Sequence, residues 1–138
     1  RQSVRAGSHA LATTAQAARG GQSVSWKPHA RGVRKAPGTM NKLESAYNAR
    51  LETRMAAGEI AWFKYEAFKL RLADNTFYSP DFAVMLADGT MEIHETKGHW
   101  EDDARVKIKV AATLFPFRFF AITQGRKEKK GQWIFEEF

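Results

Sequence analysis

The sequence contains no cysteine, and this excludes both a disulfide framework and any metal site built on thiolates. No apolar run approaches the roughly 20 residues that a membrane-spanning helix needs. Nothing near residue 1 combines a basic region, an apolar core and a cleavage site, so we expect no signal peptide. These absences predict a cytoplasmic protein with no membrane partner.

Acidic residues are absent from residues 1–39, which carry seven Lys or Arg and so account for the whole formal net charge of +7. The segment is rich in Gly, Ala, Ser, Thr and Gln, and it has too few large apolar residues to form a core. We predict a disordered basic N-terminal arm over residues 1–39. Its Arg31, Arg34 and Lys35 are suited to contact nucleic-acid phosphates, and a solubilising tail is the alternative interpretation.

The remaining residues, 40–138, have balanced charge and are long enough for one packed domain. Residues 40–57 have a helical pattern, which begins with Asn41 and Glu44 at the spacing of a capping box and ends at Gly58. Apolar residues recur at every fourth position of this helix: Leu43, Tyr47, Leu51 and Met55. We predict an amphipathic helix at the start of the domain.

Later segments alternate between strand and helix patterns. Residues 60–72 predict one aromatic strand, and residues 101–115 predict a second helix, which Pro116 ends. Residues 117–123 are apolar enough for a central strand buried on both faces, and residues 132–138 predict a last strand. With the two strands within residues 78–97, the predicted order is α, β, β, β, α, β, β, which is an α/β fold.

Residues 78–97 read as a β-hairpin that turns at Asp88-Gly89. A strict two-residue turn would place Asp81 on the opposite face of the sheet from Glu95. A three-residue loop over residues 87–89, with Gly89 in the left-handed conformation, places Asp81 opposite Glu95 instead. We predict this bulged hairpin or an equivalent distortion near Pro80. A regular ladder with the two carboxylates on opposite faces would exclude a shared metal.

The end of this hairpin carries the residue types that phosphodiester hydrolysis needs. Asp81 and Glu95 supply hard oxygen ligands for Mg²⁺, and the Thr96 backbone carbonyl is a third candidate ligand. Lys97 lies two residues after Glu95 and therefore projects to the same face of the strand. Because neighbouring carboxylates raise the pKa of Lys97, we expect it to orient water and stabilise phosphate charge rather than act as a general base.

Other polar residues have more than one interpretation. Glu44 lies beside the apolar stripe of the first helix, and such residues are more often solvated or capping than functional. By strand alternation His94 faces away from Glu95, which favours a packed or hydrogen-bonded histidine over a metal ligand. Glu66 is expected to face solvent.

Two groups of cations follow the hairpin and are candidate DNA contacts. The first is on the second predicted helix and the second is in the loop that follows the central strand. The first group is Arg105, Lys107 and Lys109; the second is Arg126, Lys127, Lys129 and Lys130. Such residues usually form a solvated face, yet beside a nuclease site they are suited to hold a DNA backbone.

The pair of motifs Pro80-Asp81 and Glu95-Thr96-Lys97 resembles the signature of the PD-(D/E)XK nuclease superfamily. Residues 41–44, 78–82, 95–98 and 103–109 also resemble phage-encoded nuclease-related proteins. The layout is similar to that of Holliday-junction resolvases, in which a helical Glu joins the Asp, the Glu and the Lys. This resemblance covers about residues 40–124.

The resemblance implies a restriction-endonuclease-like αβββαβ core, with a mixed central sheet flanked by helices, in a nuclease domain over residues 40–138. It implies a catalytic set of Glu44, Asp81, Glu95 and Lys97, with Mg²⁺ as cofactor, Mn²⁺ as a substitute and Glu44 as a further metal ligand. A homodimer follows if the protein cuts two strands of a four-way junction symmetrically. A phage origin would place it in the cytoplasm of a bacterial host.

The leading hypothesis is therefore a Mg²⁺-dependent DNA endonuclease, selective for branched or Holliday-junction DNA in phage recombination or replication. The alternative is a non-catalytic DNA-binding phage protein that retains the nuclease fold. A purely structural phage protein would explain the basic arm but would leave the hairpin unexplained. Fold analogy does not fix the substrate.

Overall fold

The computed structural model describes residue 36 and residues 38–138. The predicted disordered arm therefore lies almost entirely outside the described residues, together with Arg31, Arg34 and Lys35. The helices of the described chain are α1 (Lys42–Ala56), α2 (Asp102–Leu114) and a short 3-10 helix (Lys127–Lys129). The strands are β1 (Ile60–Tyr65), β2 (Leu70–Ala73), β3 (Thr76–Tyr78), β4 (Phe82–Leu86), β5 (Met91–Thr96), β6 (Arg118–Gln124) and β7 (Trp133–Glu137).

Five of these strands form one mixed sheet in the order β1-β4-β5-β6-β7. The β5–β6 pair is parallel, and the other pairs of this sheet are antiparallel. The crossover from β5 to β6 contains α2, as parallel neighbours require. The prediction of an α/β fold with a mixed central sheet is confirmed, and so is the position of β6 between two neighbours.

The two α-helices pack on opposite faces of this sheet. Tyr47 and Leu51 of α1 pack in one apolar cluster with Phe82 and Phe120. The next residue of each strand, Ala83 and Phe119, lies in a second cluster with Ile108 and Ala111 of α2. Because consecutive strand residues point to opposite faces, the sheet is covered by a helix on each side.

Helix α1 begins with the predicted capping box. The Glu44 amide donates to the Asn41 side chain at 2.8 Å, and the Asn41 amide donates to the Glu44 carboxylate at 2.7 Å. These bonds satisfy amides that the first turn of a helix leaves without partners. The predicted stripe is buried at Tyr47 and Leu51 but not at Met55, which is 42% exposed.

The prediction of a single strand over residues 60–72 is wrong. Strand β1 ends at Tyr65, and Glu66 takes a left-handed conformation with φ 47°. The chain then forms the separate two-stranded sheet β2-β3, which contributes Leu70 and Tyr78 to the core cluster that contains α2 residues. Apolar and polar residues alternate on both sides of Glu66, so the alternation did not reveal that the strand is broken there.

Among the described residues, no helix is long and apolar enough to cross a lipid bilayer.

Candidate active site

The hairpin of β4 and β5 has the predicted register. Phe82 pairs with His94 and Met85 with Met91, and the Leu86 amide donates to the Thr90 carbonyl at 2.9 Å. The loop between them is residues 87–89, and Gly89 has φ 86°. The three-residue loop with a left-handed Gly89 is confirmed, and the same register continues to bring Asp81 opposite Glu95.

Asp81 is tied to the end of β5 through its backbone and its side chain. Its amide donates to Oε2 of Glu95 at 3.2 Å. Its own Oδ2 accepts from the Thr96 amide at 2.8 Å and from the Thr96 hydroxyl at 2.7 Å. Among the described residues Oδ1 of Asp81 accepts no hydrogen bond, and no buried side-chain oxygen there lacks a partner. This oxygen is therefore not a fully buried atom and remains available for a ligand.

Glu95 is only 7% exposed, and both of its carboxylate oxygens have protein partners. Lys97 Nζ lies 2.7 Å from Oε1, and the Tyr78 hydroxyl donates to Oε2 at 3.1 Å. The contact with Lys97 confirms that these two side chains share a face. Tyr78 was not among the predicted site residues; its signals were its position two residues before Pro80-Asp81 and its place in residues 78–82, which carry part of the resemblance.

The electrostatics of the site follow from burial and from the proximity of the two carboxylates. Burial and the charge of Glu95 raise the pKa of Asp81 to about 7, and the Thr96 hydrogen bonds and Lys97 oppose this shift. Burial lowers the pKa of Lys97, but the charge and hydrogen bond of Glu95, with Asp81 and Glu101, raise it overall. The expected direction for Lys97 is confirmed, so this side chain remains an ammonium at neutral pH.

Glu44 lies on α1, and its described hydrogen bonds join neighbouring polar groups. Its carboxylate accepts from the amide and side chain of Asn41 and from the Tyr65 hydroxyl, the last at 2.9 Å. Within the described part of the chain, no direct hydrogen bond joins Glu44 to Asp81, Glu95 or Lys97. Tyr65 pairs with Phe82, the residue after Asp81. Tyr65 therefore connects Glu44 to the neighbourhood of the site, and sequence patterns gave no signal for this tyrosine.

The described residues contain no group of three or more His, Cys, Asp or Glu that is placed to hold a metal ion. The donors that the hairpin does bring together are the carboxylates of Asp81 and Glu95, with the Thr96 backbone between them. This set is chemically suited to Mg²⁺, which prefers oxygen ligands and is usually bound through one or two carboxylates while it keeps several waters.

The predicted DNA contacts of the last loop lie beside the end of β5. Arg126, Lys127 and Lys130 line a cleft of about 510 Å³ together with Leu43 and Gly98. Gly98 directly follows Lys97, and the Arg126 guanidinium donates to the Gly98 carbonyl at 2.9 Å. Lys129 is exposed in the same loop. The structure thus places a basic loop next to the residue that follows the site lysine.

The predicted cations of α2 do not form one row. Lys107 lines a smaller cleft of about 190 Å³ together with Glu95, whereas Lys109 lines a different cleft near Phe138. Arg105 forms an ion pair with Glu136 and lies 5.4 Å from the ring centroids of Trp100 and Phe138. Of these three clefts of the described chain, the one that Lys107 lines is the one that contains a site carboxylate.

Two further polar residues, His94 and Glu66, make hydrogen bonds to groups outside the carboxylate centre. His94 is fully buried, with Nδ1 2.8 Å from the Tyr47 hydroxyl and Nε2 3.0 Å from the Glu92 carboxylate. Glu66 is exposed, and its carboxylate accepts from the Gly38 amide. The predictions of a hydrogen-bonded His94 and of an outward Glu66 are confirmed.

Comparisons of the chain with protein-family models, with curated proteins and with solved structures give no match.

Proposed function

We propose that this protein is a Mg²⁺-dependent DNA endonuclease of the PD-(D/E)XK kind. The observation that carries the proposal is the register of the β4–β5 hairpin, which brings Asp81, Glu95 and Lys97 together at one end of the sheet. The order α1, β1, β4, β5, α2, β6 corresponds to an αβββαβ core, with β2-β3 as an insertion and β7 as an added strand.

In this proposal Asp81, Glu95 and the Thr96 carbonyl hold Mg²⁺, or Mn²⁺ in its place. When bound, the ion supplies charge neutralisation at the phosphate and lowers the pKa of a water. The chain supports this role because a buried carboxylate, Glu95, close to the partly buried carboxylate of Asp81 is electrostatically unfavourable, as the raised pKa of Asp81 indicates. A cation between them would relieve that repulsion.

Lys97 acts on the phosphate rather than on a proton. Its ammonium is held by Glu95 at 2.7 Å, and the side chain as a whole is 25% exposed, so Lys97 is accessible from solvent. From that position it stabilises negative charge that develops on the pentavalent phosphorus. Glu44 completes the site through Tyr65, as a positioning residue or as a further metal ligand.

The substrate is DNA, held by cations on either side of the site. Arg126, Lys127, Lys129 and Lys130 contact the backbone on one side, and Lys107 contacts it on the side of α2. Arg105 and Lys109 remain candidate contacts at the periphery, as do Arg31, Arg34 and Lys35 of the arm. Branched or four-way-junction DNA is the proposed target, and its symmetric cleavage would use a homodimer.

The test is nicking of a four-way junction, a flap, a linear duplex and a single strand, each with Mg²⁺ and with chelator. We expect Lys97→Ala to cut about 10²–10³-fold more slowly than the wild type, the loss typical of one electrostatic stabiliser, and Asp81→Asn to be at least as impaired. Glu66→Gln is the matched control, because this carboxylate is exposed, accepts from the Gly38 amide and makes no hydrogen bond to Asp81, Glu95 or Lys97 within the described chain. Equal activity in all four proteins, or no cleavage of any DNA, would contradict the proposal.

A non-catalytic DNA-binding protein is the second candidate. It is favoured by the occupation of both Glu95 oxygens by protein donors, Lys97 and Tyr78. Titration calorimetry separates the two candidates, because a binder needs no metal. Absence of Mg²⁺ and Mn²⁺ binding to the wild type, with DNA binding intact, would favour this second function.

A further inference from the structure

The cleft of about 510 Å³ is a separate feature from the carboxylate centre. It is lined by Leu43, Gly98, Gln124, Gly125, Arg126, Lys127 and Lys130. None of Asp81, Glu95 and Lys97 is among these lining residues. The cleft is nevertheless adjacent to the centre in the chain, because Gly98 follows Lys97 and Leu43 precedes Glu44. A polymer that passes the centre can therefore reach the cleft.

The cations of this cleft stand on a closed loop, not on a flexible tail. The Gly125 amide donates to the Gln132 carbonyl at 2.8 Å, and the Gln132 amide donates to the Lys129 carbonyl at 3.0 Å. A Cβ on Gly125 would lie 2.1 Å from the Lys129 carbonyl oxygen, so only glycine fits there. Together with the Arg126–Gly98 bond, these contacts fix the loop relative to the end of β5.

The chemistry of the lining indicates what the cleft can hold. Among the described residues, its rim carries three cations and no carboxylate, while Leu43 and the two glycines provide a less polar lining. A nucleotide matches this division, because its phosphate pairs with cations and its sugar and base pack on apolar surface. The volume also lies in the range of about 300–1,000 Å³ of pockets that enclose a small molecule.

A base can enter such a cleft only when it is not stacked inside a duplex, because a paired strand exposes its phosphates but not its bases. We propose that the cleft binds an unpaired nucleotide of the DNA strand, next to the phosphate that would be hydrolysed at the carboxylate centre. This inference rests on the proposed function and narrows its substrate to DNA with a single-stranded segment beside the cut. Among the described residues the lining holds no aromatic ring, so the base would pack on Leu43 and the glycines rather than stack on a side chain.

The test is binding of a fluorescent oligothymidylate of about six nucleotides and of a blunt duplex long enough to stay paired at the assay temperature, measured by anisotropy in chelator. The cleft variant is the double substitution Lys127→Ala/Lys130→Ala. Its matched control is Lys64→Ala/Lys69→Ala, which removes the same charge from exposed residues of β1 and the segment after it.

We expect the cleft variant to bind the single strand about tenfold or more weakly, as loss of charge-assisted bonds requires. Its salt slope should fall by about 0.7 for each lost phosphate contact. The control should show a smaller loss of single-strand binding, and the cleft variant should lose less affinity for the duplex than for the single strand, because the duplex keeps its bases out of the cleft. A second measurement uses NMR spectroscopy of the ¹⁵N-labelled wild-type protein. Titration with thymidine trinucleotide should shift the amide resonances of Gly98 and Gly125.

Equal losses of single-strand binding in the two double variants would overturn the proposal, and so would resonance shifts that spare Gly98 and Gly125. Both measurements are made without metal, so they are independent of catalysis. A protein that binds the oligonucleotide in the cleft but nicks no DNA would disprove the nuclease and not the cleft. If the wild type cleaves DNA but the cleft variant binds the oligonucleotide as tightly as the wild type does, the proposed role of the cleft would be disproved and the nuclease would not.

Discussion

Strand β5 carries two polar networks on its opposite faces, and they differ in how completely their polar groups are paired. On one face His94 connects Tyr47 with Glu92, and Glu92 pairs with Arg118 at 3.0 Å. On the other face Glu95 connects Tyr78 with Lys97. The sequence neighbours His94 and Glu95 thus belong to different environments, because alternate residues of a strand point to opposite faces.

The network of His94 is closed. A carboxylate can only accept, so Nε2 of His94 carries the proton toward Glu92 and Nδ1 accepts from Tyr47. The rings of Phe120 and Phe135 lie about the imidazole at centroid distances of 5.6 and 6.1 Å. No group in this network is left to bind a ligand, so the arrangement serves the stability and register of the strand.

The network of Glu95 is open at the end of the strand. Lys97 is partly exposed, and Asp81 retains an oxygen without a hydrogen bond from the described residues. The carboxylates keep a mutual repulsion that the protein does not fully offset. The comparison teaches that buried charged groups alone do not indicate a candidate ligand site. Charged groups that are incompletely paired and close to solvent do.

The largest expected effect that separates the two faces is on stability. We expect His94→Ala to lower the free energy of unfolding by about 3 kcal/mol or more, because it leaves a cavity and removes the partner of two buried polar groups. Denaturant unfolding followed by circular dichroism measures this loss. The control Tyr47→Phe removes one hydroxyl only and should cost about 1 kcal/mol.

At a temperature where His94→Ala is folded, its nicking rate per folded molecule should match that of the wild type. A large loss of activity in the folded variant, without a comparable loss of stability, would show that the His94 face takes part in the chemistry. The proposed separation of the two networks would then be wrong.

The part of the site within the hairpin was predictable because it depends on local rules. The side-chain period of two and the left-handed Gly89 were enough to place Asp81 opposite Glu95. The capping box of Asn41 and Glu44 depends on a spacing of three residues and was equally readable. The same rules separated His94 from Glu95.

What sequence patterns missed depends on long-range packing. Tyr65 and Tyr78 reach Glu44 and Glu95 because of how β1 and β3 lie in space, and no spacing in the chain encodes that approach. The break at Glu66 was missed because the side-chain alternation continues through it. The helical positions of Arg105, Lys107 and Lys109 did not reveal that Glu136 and Trp100 would hold the first of them.

A smaller effect is expected on the open face, at Tyr78. Tyr78→Phe removes the hydroxyl that holds Oε2 of Glu95 and leaves the ring packed. We expect the Mg²⁺ affinity to fall about tenfold, the lower end of the loss for a group that supports a metal ligand. Calorimetry and the Mg²⁺ dependence of nicking measure it, and activity should recover at high Mg²⁺.

The control for this substitution is Tyr47→Phe, the matched change on the closed face, which should leave Mg²⁺ affinity unchanged. An equal loss of affinity in both variants would indicate a general loosening of the strand. Unchanged affinity in Tyr78→Phe would mean that the hydroxyl has no part in positioning Glu95.

The smallest expected effect is a difference in pH dependence between the faces. Burial lowers the pKa of His94 below its usual 6.5, although Glu92 opposes the shift. The unfolded chain therefore binds a proton that the folded chain does not, and the stability due to His94 is complete above pH 6.5 and is lost as the pH falls below it. Asp81, with its pKa raised to about 7, has the opposite sign, since its contribution is lost as the pH rises toward 7.

Urea unfolding of the wild type and of His94→Gln from pH 7.5 to 5.5 cancels Asp81 in the difference. That difference should shrink on acidification by up to about 1.4 kcal/mol per pH unit. A difference that stays constant would mean that the pKa of His94 is the same in the folded and the unfolded protein, and a difference that grows on acidification would mean that the folded protein holds the protonated imidazole. Either result would contradict the assignment of protons in the closed network.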